Sequence, residues 1–241
     1  MKSRKIVLGL GFLGLGFSFS SKVSAQDVDI NLSGDLVSSY VWRGFKNAGA
    51  SVQPSLSASV ACFTLGAWAS TDISSAGSKE VDFYASYVIS GLQFTVTDYW
   101  WDGEGTHRYF SYPHAEDAMG HLLELGLGYT LPEAFPLSLS WNTFVLGKGN
   151  KKGGDGDNSF STYIEASYPF SVKNVDMKIA AGFTPWESSV YGTDGFKFTN
   201  ILLGASKEVK ITDSFSVPVF ANIIANPAVE DIHFVFGITL K

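Results

Sequence analysis

From residue 28 to the C-terminus, apolar side chains recur at every second position, segment after segment. The first segment sets the pattern. Val28, Ile30, Leu32, Gly34, Leu36, Ser38, Tyr40 and Trp42 interleave with Asp29, Asn31, Ser33, Asp35, Val37, Ser39, Val41 and Arg43. A period of two belongs to a β-strand with one apolar and one polar face. Read without a break, residues 28–42 form a strand well beyond the roughly five or six residues usual in globular sheets.

Eleven more segments repeat the pattern. They carry apolar sets such as Leu56, Ala58 and Val60; Phe63, Leu65 and Ala67; Val81, Phe83 and Tyr87; Leu123, Leu125 and Leu127; Met177, Ile179 and Ala181; and Phe234, Phe236 and Ile238. Around residues 196–206 the register is ambiguous, and Ile201, Leu203 and Ala205 are the preferred outward set. Only residues 115–125 compete as a helical turn. The connections alternate in length. Ala61-Cys62, Ser90-Gly91, "LPEAF", "PFSVKN" and "EVKITDS" are short, whereas "RGFKNAGA", "STDISSAGSKE", "DGEGTHRYFSYPHAEDAMG", "GKGNKKGGDGDN" and "TPWESSVYGTDG" are long. The predicted fold is all-β: a closed up-and-down antiparallel transmembrane β-barrel of about 12 strands, with short periplasmic turns and long extracellular loops.

Residues 1–25 read as a signal peptide. Lys2, Arg4 and Lys5 precede an apolar run, and Val23-Ser24-Ala25 supplies small residues for cleavage. Residues 26–241 are then one outer-membrane barrel. The chain has 23 acidic and 17 basic side chains, and Lys22 joins the other three basic residues in the leader. The mature part is therefore more acidic than the whole, which argues against nucleic acid as a partner. One cysteine, Cys62, leaves no internal disulfide. Charged residues are 17% of the chain, lean against about 25% in soluble domains.

A soluble sandwich shares the alternation, so three features argue for lipid. The strands are long enough for a tilted crossing of the bilayer. Aromatic residues gather at the ends of the apolar face: Tyr40, Trp42, Trp100 and Phe183 near the long loops, and Phe63, Tyr129, Phe135 and Tyr168 near the turns. The opposite face carries Asp29, Asp35, Arg43, Asp82, Glu124, Glu165, Asp176 and Lys178. In lipid those charges must line the interior. Lipid offers no hydrogen-bond partner, so the sheet must close.

The block Tyr40-Val41-Trp42-Arg43-Gly44 resembles the Y-x-[FW]-R-G motif of the TorF-type porins, a loosely characterised family of bacterial outer-membrane barrels. Ser39 stands where that family often has an acid. The resemblance implies a porin with no established substrate. The chain ends in Leu240-Lys241 rather than in an aromatic, although "HFVFGITLK" keeps the alternation that outer-membrane assembly machinery reads.

The pore-lining candidates are Asp35, Arg43, Asp82, Glu124, Glu165 and Lys178. Arg43 reads either as a cation in a constriction, attracting anions or sugar hydroxyls, or as half of an internal salt bridge with Glu124 or Glu165. Tyr99, Trp101, Tyr109 and Tyr112, in or beside the third long loop, are candidates for binding through stacking, and that loop could fold inward. His107, His114, Glu116, Asp117 and His121 lack the defined spacing of a zinc site, and "GKGNKKGGDGDN" lacks the terminal Glu of an EF-hand. No cofactor is expected. An outer-membrane lipid hydrolase would need a Ser/His pair facing lipid, and none is evident. The expected function is a monomeric narrow channel or porin in the cell outer membrane, passing small hydrophilic solutes. The alternatives are a plugged structural or adhesive barrel, and a secreted carbohydrate-binding β-sandwich.

Overall fold

A computed structural model describes residues 28–74, 79–101, 109–110, 120–154, 156–213 and 215–241. The strands in chain order are β1 (Asp29–Val37), β2 (Tyr40–Trp42), β3 (Phe45–Ala48), β4 (Ser51–Val60), β5 (Phe63–Asp72), β6 (Lys79–Ile89), β7 (Leu92–Trp101) and β8 (Gly120–Thr130). There follow β9 (Ser138–Leu146), β10 (Thr162–Val172), β11 (Val175–Thr184), β12 (Glu187–Ser188), β13 (Thr193–Asp194), β14 (Lys197–Lys210), β15 (Ser216–Asn226) and β16 (Asp231–Leu240). Twelve of them close a barrel in the order β1-β16-β15-β14-β11-β10-β9-β8-β7-β6-β5-β4, with β4 back against β1. β2 with β3, and β12 with β13, form two small sheets of their own. Residues 120–125, the described part of the segment that competed as a helix, are strand.

The alternation sorts side chains as its period requires. Leu32, Leu65, Leu125, Ile179 and Phe234 point outward and are 68%, 54%, 46%, 46% and 63% exposed. Asp82 and Glu124 point inward and are buried, and Glu165 is also inside, against Lys178. Ile201, Leu203 and Ala205 take the outward register on β14. An apolar face this continuous marks a surface of contact with lipid or protein. At the turn end Phe63, Tyr129 and Phe135 are exposed, and Phe135 and Tyr168 lie 5.2 Å apart. At the long-loop end Phe183 clusters with Phe196 and Phe198 at 5.1 and 5.7 Å.

The first segment departs from its predicted course. Residues 28–42 are not one strand: the wall strand ends at Val37, and the chain bends at Ser38-Ser39. Ser38 completes the ladder on both sides of Phe236, donating its N–H to that carbonyl at 2.8 Å and accepting that N–H on its hydroxyl at 3.0 Å. β2 and β3 then run into the lumen. Tyr40 and Trp42, expected at the lipid interface, are therefore inside the barrel and buried. The trace in the sequence is slight: Ser38 interrupts the outward apolar set, and Val37 and Val41 stand among the inward polar one.

Candidate functional site: a hairpin across the lumen

The tip of the β2–β3 hairpin is Arg43-Gly44, with φ of 50° and 89°. Two consecutive positive φ angles match the twist of a tight two-residue hairpin. At Gly44 a Cβ would fall 1.7 Å from the carbonyl oxygen of Thr199 on β14, so only glycine fits. Asn226, at the end of β15, donates its side-chain amide to the Gly44 carbonyl at 3.1 Å. The hairpin thus leaves β1, and its tip lodges against β14 and β15, three and two strands round the barrel from β1.

Across the lumen Arg43 meets Glu124 on β8. Nη1 donates to Oε1 at 2.6 Å and Nη2 to Oε2 at 2.9 Å, a two-pronged geometry that is among the strongest available to a charged pair. Both residues are buried. Nη1 also donates to the Tyr191 hydroxyl, and the Tyr99 hydroxyl donates to Glu124 Oε2 at 3.1 Å. The guanidinium carbon lies 4.5 Å from the Trp42 ring centre and 4.7 Å from that of Tyr163, where ring quadrupoles favour a cation. Trp42 in turn packs on Tyr99, Trp101 and Tyr191 at 5.7, 5.9 and 5.7 Å. Leu122 and Phe144 complete this buried cluster. Of the two proposed partners for Arg43, the structure selects Glu124; Glu165 pairs instead with Lys178, at 3.9 Å.

The other inward candidates spread along the wall. Asp35 accepts a hydrogen bond from the Thr239 hydroxyl at 2.6 Å. Glu165 accepts from the Tyr163 hydroxyl at 2.5 Å and from the Asn200 amide at 3.0 Å. Asp82 and its neighbour Glu80 are 0% and 1% exposed; Tyr40, Trp101 and Asp82 are the polar neighbours of Glu80. Beside the base of the hairpin a cavity of about 10 Å³ remains, lined by Val37, Ser39, Tyr40, Val41, Gln53, Phe220, Asn222, Ile224 and Val235. That is room for about one water. Toward the turn end the inner wall is small and polar, with Ser55, Ser57, Ser59, Thr64, Thr95 and Ser140 all partly exposed.

The proposed stacking residues divide. Tyr99 and Trp101 are not loop residues: they lie on β7, face inward and are buried against the hairpin. Their parity on the strand is that of Gln93 and Thr97, which explains the correction. Tyr109 lies outside the barrel, 5.5 Å from Trp100 and 4.9 Å from His121. Tyr112, His107, His114, Glu116, Asp117 and the leader 1–25 lie outside the described residues, as does most of the loop expected to fold inward. His121 commits both ring nitrogens, one to Asp98 at 2.8 Å and one to the Tyr109 carbonyl at 2.8 Å.

Sequence reasoning missed Phe144, Leu122, Tyr163 and Tyr191. The first three break the polar character of the inner face, and an apolar residue of inward parity was the available signal. Tyr191 stands between β12 and β13 in a loop, where no periodicity marks it.

Residues 21–221 match the family described as "Bacterial protein of unknown function (Gcw_chp)", and the chain belongs to that family. Among solved structures, an outer membrane channel from Pseudomonas putida F1 aligns over 92% of this chain and 98% of its own, at 14% identity and a TM-score of 0.41. No curated protein matches the sequence.

Proposed function

Taking the chain as a member of the Gcw_chp family, we propose that it is a monomeric outer-membrane channel of the TorF type whose axial path is gated by the β2–β3 hairpin. The observation that carries this reading is the independence of the hairpin from the wall. β2 and β3 hydrogen-bond to each other as a separate sheet, and side chains and one carbonyl hold the tip. Withdrawal would break the Arg43–Glu124 contact while the ladders of the barrel stay intact. The polar inner wall below the hairpin suits passive movement of small hydrophilic solutes, with selectivity set by radius and fixed charge. The apolar exterior, the two aromatic zones and strands of about ten residues support residence in the outer membrane after export through the leader. The alternating C-terminal strand would serve recognition by the assembly machinery.

The buried Arg43–Glu124 pair also favours a second reading, a permanently plugged structural barrel. Planar-bilayer recordings separate the two. The gated channel gives rare conductance steps in the wild type and frequent ones in Glu124→Gln. Silence in both, with barrels verified as folded by the heat-dependent shift in gel mobility, leaves the plugged barrel.

A further inference from the structure

The wall is incomplete at one seam. β1 pairs with β16 only from Gly34↔Leu240 to Val37↔Gly237, whereas β16 continues to Asp231 against β15. Because β1 turns into the lumen, residues 231–235 of β16 have no strand partner on the β1 side among the described residues. The seam lies within the apolar band. Ala228, in the turn before β16, donates its N–H to the Phe198 carbonyl at 3.1 Å, which sets that turn level with the outer aromatic cluster of Phe183, Phe196 and Phe198. Beneath it Ile232, Phe234 and Phe236 are 67%, 63% and 56% exposed on the outer face.

An open sheet edge in lipid is costly unless its polar groups are satisfied. Local side chains meet part of this need: the Ile232 N–H is taken by the carboxylate of Asp231 at 2.7 Å, and at the lower end of the unpaired stretch the Phe236 N–H is taken by the Ser38 hydroxyl at 3.0 Å. The lumen wall behind the seam is largely apolar, with Ser39, Gln53 and Asn222 the polar side chains among it. Val37, Val41, Leu202, Phe220, Ile224 and Val235 form one buried cluster, and the small cavity opens among them.

On the premise that the barrel sits in a membrane, we infer that the β1–β16 seam is a lateral passage between lumen and bilayer for small apolar molecules. An apolar solute gains roughly 25 cal/mol per Å² by leaving water for the inner cluster, and the lipid beyond the seam is an equally favourable destination. A polar solute has no partner in the lipid beyond the seam. The hairpin closes the axial route above and leaves the sideways one.

The test is cysteine accessibility in lipid vesicles, in a Cys62→Ser background. Val235→Cys replaces an inward residue of the cluster with one of similar volume, and its fold is verified by gel mobility. A membrane-partitioned phenylmaleimide is expected to label it faster than a charged, membrane-impermeant maleimide. Ser57→Cys, on the polar inner wall, is expected to show the opposite preference. Labelling of Val235→Cys by the charged reagent first, or by neither, overturns the lateral passage. The control Leu125→Cys, on the outer face, must prefer the apolar reagent. If it prefers the charged one, the membrane reading itself fails, and the lateral passage with it.

Discussion

Arg43 and Glu124, 81 positions apart in the chain, are joined by two charge-assisted hydrogen bonds of 2.6 and 2.9 Å inside the barrel. One partner hangs on a hairpin tip and the other is fixed in a wall strand, so the pair is the mechanical tie between plug and barrel. Breaking such a pair from one side leaves a buried charge alone.

Removing a single partner of a buried pair costs about 3–5 kcal/mol, whereas replacing both by apolar groups is far milder. Arg43→Met is accordingly expected to lower the temperature at which the barrel loses its compact gel mobility, and Arg43→Met/Glu124→Leu to restore most of the loss. Equal destabilisation by the single and double variants would show that the two residues act independently.

Gly44→Ala is expected to unseat the hairpin without opening the wall. The new methyl would overlap the Thr199 carbonyl and hold a positive φ of 89°, a conformation costing on the order of 1–3 kcal/mol for a non-glycine residue. Trp42 then loses its buried aromatic neighbours. Its fluorescence, isolated in a background with the other tryptophans replaced by phenylalanine, should shift toward that of a solvated indole. An unchanged spectrum would mean that the tip tolerates the methyl.

Glu80 and Asp82 are two buried carboxyls side by side, with no salt bridge to either among the described residues. Burying a charge is expensive unless a counter-ion or a proton accompanies it, so Glu80→Gln/Asp82→Asn should leave the barrel at least as heat-resistant as the wild type. A clear loss of resistance would reveal a partner that these carboxylates need.

Charge on the outer face should be tolerated far less than charge on the inner face. Ile179→Arg is expected to cost about 2–4 kcal/mol in a bilayer, the range for a lipid-facing cation near the midplane. Ser57→Arg, pointing into the polar lumen, should cost little. Folding titrations into vesicles compare them directly, and equal costs would contradict the assignment of faces.

How far the sequence reaches is clearest at β6. Phe83 and Asp82 are adjacent, yet period two alone sends one out and the other in, and the barrel follows. The same rule correctly orients Leu125 and Glu124, Ile179 and Lys178, and Phe234 and His233, because facing along a strand is a local property of the pleat. Closure too was legible, since a sheet expected to face lipid was expected to pair its first strand with its last. Tyr40 and Trp42 mark the limit. Their alternation matches that of Leu32 and Leu36, but a bend at Ser38-Ser39 carries them inward. The local signal, Ser38 at an outward position with Val37 and Val41 at inward ones, is too small to separate a continuing wall strand from a hairpin turned inside. The choice is made by what waits across the lumen: Glu124 for the guanidinium, Tyr99, Trp101 and Tyr191 for the indole, and a Thr199 carbonyl that leaves space only for glycine. Those partners lie on β7, β8, β14 and a distant loop. Alternation along the chain determined the barrel and its two faces, and only contacts between residues remote in sequence decided that its interior is closed by its own first loop.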